Sequence, residues 1–457
     1  MKKIFKLFVE AVRGKEYNYT EISINKAIFL LSIPMIIEML GESLFAVVDV
    51  FFVAKIGINA IATVGLTESV LTLIYSVAWG ISGAGTAIVA RRVGEGNPEG
   101  AGLAAMQVII ISLCISVVVG TLGFVFAEDI LRFMGGSDEL IAEGVNFTRV
   151  IFASSPAIIL LYSLGGVLRG AGNASKAMNS LWIANIINMS LDAILIWGLH
   201  FGVVGAAIAT SVGRTIGVIY QLYVLTQGKQ QVQFNWRHIK PDFEVIKNII
   251  NVASGATGQF LISSASWVFL ARVLATFGSD VVAGYTIAIR IIIFTILPSW
   301  GMANAAATLV GQNLGAGKPD RAESSAWKAA FYNMVFLLAV AIVFFIFADN
   351  FIRIFNGGEK VVEIGTLALQ IICLGYLFFG YGMVLGQALN GAGDTKTPTL
   401  LNFICFWLLE IPLAYLLAKT LNFGPQGVFI SIAVSESVLA ILFIWVFKKG
   451  RWKTIEV

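Results

Sequence analysis

The sequence predicts an all-α integral membrane protein whose twelve transmembrane helices form two six-helix, pseudo-symmetric lobes. Three observations carry that prediction. Of 457 residues, 58% are apolar and only 13% charged, too little polar surface for a water-soluble globule of this length, and the mean hydropathy is +0.85. The apolar residues gather into twelve stretches of the ~20 residues that a helix needs to cross a bilayer. Two short strings also recur at one spacing. Arg169-Gly170-Ala171-Gly172-Asn173 returns 221 residues later as Asn390-Gly391-Ala392-Gly393-Asp394, and Val93-Gly94-Glu95-Gly96-Asn97-Pro98-Glu99 returns at the same distance as Leu314-Gly315-Ala316-Gly317-Lys318-Pro319-Asp320.

Residues 1–23 precede the first span. Their string Lys3-Ile4-Phe5-Lys6-Leu7-Phe8-Val9 lacks the apolar core and cleavage site of a signal peptide, so an amphipathic helix lying at the inner membrane interface is expected. Residues 24–227 form the first lobe, with spans at roughly 27–54, 61–90, 103–127, 145–168, 178–199 and 203–226. A linker, 228–245, leads to the second lobe, 246–447, with spans at roughly 248–276, 281–310, 324–348, 362–389, 399–420 and 426–447. A basic tail, 448–457, closes the chain. Gly and Pro inside several spans are tolerated in a helical bundle, and no span shows the two-residue alternation of a strand barrel. The register of the repeat extends to Trp79-Gly80 with Trp300-Gly301, Gly57 with Gly278, Gly165 with Gly386, and Ala127, Arg132 and Gly136 with Ala348, Arg353 and Gly357.

Orientation follows from Lys and Arg, which are concentrated in loops kept in the cytoplasm. One set of ends holds Lys2, Lys3, Lys6, Arg13, Lys15, Arg91, Arg92, Lys176, Lys229, Arg237, Lys240, Lys318, Arg321, Lys396, Lys448, Lys449, Arg451 and Lys453, whereas the other holds Lys55, Arg132, Arg353, Lys360 and Lys419. A plasma-membrane protein with both termini in the cytoplasm is expected. These loops account for the net charge of +4, so nucleic acid is not an expected partner. Cys114, Cys373 and Cys405 fall within apolar spans as packing residues, and His200 and His238 stand far apart. No catalytic constellation is present, so an enzyme is not expected, nor any cofactor beyond a coupled ion; the expected state is a monomer in contact with membrane lipid.

Each half has an even number of spans, so the halves are parallel repeats about an axis along the membrane normal, an arrangement in which two lobes rock around a central cleft. The Gly-x-Gly-x-Pro loops lack the Gly-Lys-Ser/Thr ending and preceding strand of a phosphate loop and read as tight turns between helices. Glu38, Glu42 and Asp49 fall on one stripe of the first span, Asn188 and Asp192 on one face of the fifth, and Ala206, Thr210 and Arg214 on one face of the sixth. Charges on such faces must look into the bundle or a wet cavity. Asp49, Asn188, Asp192 and Thr210 offer oxygen ligands for a hard cation; the two carboxylates can instead hold a proton, and a hydrogen-bonded latch is the alternative. Glu68 on span two and Arg290 on span eight sit at nearly matching positions. An ion pair, Glu68 with Arg290 or Glu42 with Arg214, competes with a direct role in binding.

Together these residues resemble the multidrug and toxic compound extrusion family, over roughly Ile24 to Phe447. The resemblance rests on Pro34 followed by Val47-Val48-Asp49 and Ile56-Gly57, the Gly94-Glu95-Gly96-Asn97 type loop in both halves, and Leu168-Arg169-Gly170-Ala171-Gly172 with its repeat. It implies a secondary antiporter that exports small organic compounds, often cationic and amphipathic, in exchange for H⁺ or Na⁺. In the family's DinF-like branch the cation site is in the first lobe, and Asp49, Asn188, Asp192, Ala206 and Thr210 match its pattern. The NorM-like branch adds acids on spans seven and ten. Here Ser263 and Phe379 take those positions, so no acidic site is expected in the second lobe. Glu38, Glu42 and Glu68 depart from the branch's pattern; with Phe45, Arg214 and Arg290 they are the expected substrate-cavity residues, and the extra acid either favours cationic cargo or neutralises Arg214. Lipid-linked saccharide flippases share the superfamily fold and are the second reading; a non-transporting membrane receptor or enzyme is the third.

Overall fold

A computed structural model describes residues 2–15, 17–227, 231–355 and 358–456; Lys229 and Gly357, used above for orientation and repeat register, lie outside them. A short helix, α1 (Lys2–Arg13), leaves Ile4, Phe5 and Phe8 exposed. The first lobe follows as α2 (Ile24–Ala54), α3 (Ile58–Gly94), α4 (Pro98–Val125), a short α5 (Ala127–Phe133), α6 (Asp138–Ala153), α7 (Ser155–Gly170), α8 (Ala174–Asp192) continued by a π-helical turn Ala193–Gly198, and α9 (Gly202–Thr226). In the second lobe α10 (Phe243–Ala275), α11 (Ser279–Gly315) and α12 (Pro319–Arg353) precede α13 (Glu359–Cys373) and α14 (Tyr376–Gly391). Span eleven is α15 (Lys396–Asn402), a π-helical stretch Phe403–Glu410, α16 (Ile411–Tyr415) and a second π-turn Leu416–Thr420; α17 (Pro425–Lys449) is the last.

Among the described residues nine continuous helices are long and apolar enough to cross a membrane, and two helix pairs, α6 with α7 and α13 with α14, are each one span bent by 43° and 58°. The 31-residue α2, which carries Glu38, Glu42 and Asp49, completes twelve. The bends fall at matching places in the two halves. So do the staples just before them: Arg132 holds Glu128 and Asp138 at 3.2 and 2.9 Å, and Arg353 holds Asp349 and Glu359 at 2.7 and 2.9 Å. Two of the few basic residues at that end are thereby neutralised, which sharpens the charge asymmetry of the molecule.

The lobes divide differently by packing than by chain order. The start of α2, Ala27 to Met35, is buried in the second lobe's core with Ala303 to Leu314 of α11 and Ala322 to Ala330 of α12. Reciprocally Ile249, Val252 and Ala253 of α10 belong to the first lobe's core. Each lobe therefore anchors the first helix of the other. Beyond this exchange α2 returns to its own lobe, where Trp182 and Asn185 of α8 donate to the main-chain carbonyls of Ile37 and Gly41 at 3.2 and 3.0 Å.

Contacts between lobes gather at the end that holds both termini. The side chains of Thr308 and Gln312 on α11 donate to the carbonyls of Arg169 and Gly170 at 3.2 and 2.9 Å. The N-terminal segment is held by Lys318 on Thr20 O at 3.1 Å and by Arg321 on Tyr19 O at 3.1 Å. The expected basic tail is folded, with Trp452 buried and Arg91 donating to Ile455 O, while the interlobe linker is strapped to α4 through Gln107, which reaches His238 O at 2.9 Å and Lys240 O at 3.1 Å.

The paired loops have a second task besides turning. Gly96 and Gly317 take the left-handed conformation, with φ of 68° and 67°. Gly94 and Gly315 instead allow the lobes to touch: a Cβ on Gly94 would lie 2.0 Å from Gln312 O, and one on Gly315 would lie 2.1 Å from Arg91 O. Any side chain at either position wedges the lobes apart. Gly94→Leu and Gly315→Leu are therefore expected to open this end, read as increased thiol labelling of Thr308→Cys, now fully buried, in a background without the native cysteines. Unchanged protection would show that the contact does not hold the lobes together.

Candidate functional site

The first repeated string ends α7 and turns Arg169 inward, where it forms a buried ion pair with Glu38 of α2 and donates to Ser82 Oγ at 2.8 Å. At the matching positions of the second lobe Gln259 and Asn390 exchange reciprocal amide hydrogen bonds of 3.0 and 3.1 Å. One joint is thus built twice, charged in one lobe and neutral in the other. Glu38, expected in the substrate cavity, is committed to this joint and its side chain is only 6% exposed.

One turn further along α2, Glu42 accepts a hydrogen bond from the Tyr162 hydroxyl. The alternative partner for Glu42 was Arg214. The guanidinium of Arg214 lies instead among three rings, 5.5 Å from Phe45, 5.5 Å from Tyr75 and 5.8 Å from Tyr162, with Nη1 buried and unpartnered. Aromatic faces attract a cation through their quadrupole, so this box compensates a charge that, among the described residues, no carboxylate meets in an ion pair. From the box a chain of rings runs to the interface between lobes. Tyr75 and Tyr162 touch Trp79, which meets Phe260 at 5.0 Å and its repeat partner Trp300 at 6.0 Å. The two tryptophans of the Trp-Gly repeat therefore meet each other at the junction.

Beyond the box lie the residues expected to bind the coupled cation. Asn188 donates to Thr210 Oγ1 at 3.0 Å, α8 to α9. That bond leaves Asn188 Oδ1, both carboxylate oxygens of Asp192 and Oδ1 of Asp49 buried without a hydrogen-bond partner. Asp49 is close enough to Asp192 for their charges to interact, and Ala206 is buried on α9 with them. Four orphaned acceptor oxygens in a dry site are costly unless a cation reaches them. Oxygen donors of this kind suit Na⁺, and protons on the two carboxyls also relieve the cost. A self-satisfied latch would leave no such orphans.

Glu68 and Arg290 are both exposed, on α3 and α11, and make no ion pair with each other among the described residues. A mid-span charge faces the bundle interior or a water-filled cavity, and the exposure of both side chains agrees with the second. Of the second-lobe positions that stand where acids occur in NorM-like relatives, Ser263 is on α10, and Phe379 packs on Tyr376 at 5.5 Å. Sequence reasoning missed Arg169 as the partner of Glu38. The signal was present, because the repeat changes both members at once, Glu38 to Gln259 and Arg169 to Asn390. It also missed Tyr75 and Tyr162, since aromatic residues in apolar spans read as packing.

A duplicated, multi-pass helical protein with orphaned carboxylate oxygens buried in one of its two lobes has the construction of a membrane transporter. The chain belongs to the MatE family, whose model matches residues 34–194 and again 256–416. It is 26% identical to the probable multidrug resistance protein NorM of Thermotoga maritima, across 94% of this chain and 93% of that one. Among solved structures it resembles a MATE protein in the bent conformation, with a TM-score of 0.90 and 28% identity over 97% and 98% of the two chains. It also resembles a transporter of the MOP superfamily from Pyrococcus furiosus, described as having a binding pocket of reverse polarity, with a TM-score of 0.89 and 28% identity over 98% and 99%.

Breaking the Glu38–Arg169 pair strands a charge inside the lobe. Arg169→Ala is expected to cost about 3–5 kcal/mol, measured as a loss of thermal stability in detergent. The double variant Glu38→Gln/Arg169→Asn, which transplants the second lobe's amide pair, is expected to recover most of that loss.

Proposed function

We propose that the protein is a secondary antiporter of the plasma membrane, both termini cytoplasmic, which exports organic, cationic amphipathic compounds in exchange for H⁺ or Na⁺. The observation that carries this reading is the set of four unpartnered oxygens on Asp49, Asn188 and Asp192, standing next to a ring-lined box already occupied by a cation. The first feature calls for a small inorganic cation. The ring chain that leads from this box through Trp79 to Phe260 and Trp300 is a surface that attracts an organic cation in the way the box holds Arg214. The names of the multidrug resistance relatives support the cargo class.

In the proposed cycle Asp49, Asn188, Asp192 and Thr210 hold the coupled ion, with the small Ala206 leaving room for it. Glu42, Phe45, Glu68, Arg214 and Arg290 meet the cargo, while Glu38 acts through Arg169 as a positioning residue. The lobes are closed at the terminal end, so the cleft opens on the opposite face, the state that loads the external ion. Loading neutralises the buried carboxylates and weakens their hold on a cationic cargo. The ion drives the lobes only through its different affinity for the two states. The protein works as a monomer surrounded by lipid and needs no other cofactor.

Transport of a fluorescent organic cation in proteoliposomes, with pH and Na⁺ gradients imposed separately, tests the reading. Asp49→Asn and Asp192→Asn are each expected to reduce gradient-driven efflux to that of empty liposomes while the protein stays folded. Undiminished efflux in both variants would overturn the assignment, and drive by a pH gradient without Na⁺ would identify the ion.

A further inference from the structure

The repeat spacing of 221 residues does not persist to the end of the chain. Left-handed residues mark it up to Gly172 and Gly393, with φ of 82° and 92°. After span eleven the spacing is 222: His200 and Asn422 have φ of 57° and 56°, and Gly202 and Gly424 have 59° and 60°. The π-turn Leu416–Thr420 corresponds to Ala193–Gly198, whereas the π-stretch Phe403–Glu410 has no counterpart in α8. The inserted residue is accommodated there, and π-bulges of this kind are frequent at functional sites. In the corrected register Asp192 falls opposite Ala414 rather than Leu413, Glu410 occupies the place of Asn188, and Glu436 occupies the place of Arg214. The second lobe thus has carboxylates at two positions where the first lobe has an amide and a guanidinium.

Glu410 is only 1% exposed, and its Oε2 is buried without a hydrogen-bond partner. Ser266 of α10 and Ser435 of α17 face its carboxyl. Both hydroxyls also reach main-chain carbonyls, Ser266 that of Ser263 at 2.9 Å and Ser435 that of Ser431 at 2.5 Å. Turned this way each hydroxyl offers a lone pair to a protonated carboxyl; turned the other way it donates to an ionised one. Glu436, half-buried on α17, stands beside them, and Tyr285 of α11 and Cys405 of span eleven are the remaining titratable neighbours. No basic side chain pairs with either glutamate among the described residues. Arg272 and Arg290 are exposed, and Lys419 lies over the Phe277 ring.

We propose that Glu410 and Glu436 form a second cation-loading site, in the second lobe, whose cation is one proton. The first-lobe site leaves four acceptor oxygens orphaned, enough to cage a metal ion. The second-lobe site leaves one, which a single O–H satisfies. The half-buried Glu436 takes the proton from hydronium, releasing water, and passes it to Glu410. No other bond is made or broken.

Infrared spectra of the full chain reconstituted in lipid, at mildly acid and at alkaline pH, test this site apart from transport. The wild type is expected to show the C=O stretch of a protonated carboxylic acid that is absent from Glu410→Gln and from Glu436→Gln but retained in Asp49→Asn/Asp192→Asn. Thermal unfolding supplies a second readout. Raising the pH should lower the midpoint of the wild type by a few degrees more than that of Glu410→Gln, whose amide cannot ionise and can donate to the serine lone pairs. An unaltered acid band in both glutamine variants would overturn the proposal. So would recovery of stability at alkaline pH by Na⁺ but not by choline in the Asp49→Asn/Asp192→Asn background, where the first-lobe carboxylates are gone.

Discussion

A charge inside a membrane protein must be matched by another charge, by a dipole or by water, and this chain meets that constraint in four different ways. Glu38 and Arg169 neutralise each other in a dry joint. Arg214 is surrounded by aromatic faces. Glu68 and Arg290 are exposed, and the oxygens of Asp49, Asn188 and Asp192 have no partner, the gap that the proposed coupled cation fills. The first two solutions are permanent and give rigidity. The last is conditional, so a change of state can be coupled to it.

The exchange of helix starts supplies the means of coupling. Helix α2 is anchored in the second lobe at Met35 and carries Asp49 in the first, about 21 Å along a single helix at ~1.5 Å per residue. In the proposed cycle, loading at one end of this helix bears on packing between lobes at the other. Pro34, which removes a main-chain donor, lies where the helix leaves the foreign core. The ring chain from Arg214 through Tyr75 and Tyr162 to Trp79 and Trp300 is a second physical path to the same junction.

Duplication preserved the scaffold and released the chemistry. Matching bends, matching arginine staples and reciprocal glycine contacts occur in both lobes, because close backbone packing tolerates little change in volume. The joint at Arg169 and Asn390 shows the other tendency. There both members changed together, ion pair against amide pair, since a buried polar group survives only if its partner is complementary.

Much of this was legible in the sequence, for a definite reason. Apolar length determines the number of spans, Lys and Arg distribution divides the two ends, and helical spacing determines which residues share a face; Asn188 and Asp192 could be paired on those grounds, while their grouping with Asp49 and Thr210 rested on ligand chemistry and the family resemblance. Periodicity names the face of a helix but not the neighbour it meets. Only the tertiary structure decided that Glu38 turns to Arg169 rather than to the cavity, that Arg214 rests among rings rather than on Glu42, and that the first helix of each lobe begins in the core of the other. The inserted residue of span eleven was hidden for a related reason. It lies in an apolar run that reads alike in either register, and only backbone geometry shows the π-turn that accommodates it and brings Glu410 opposite Asn188.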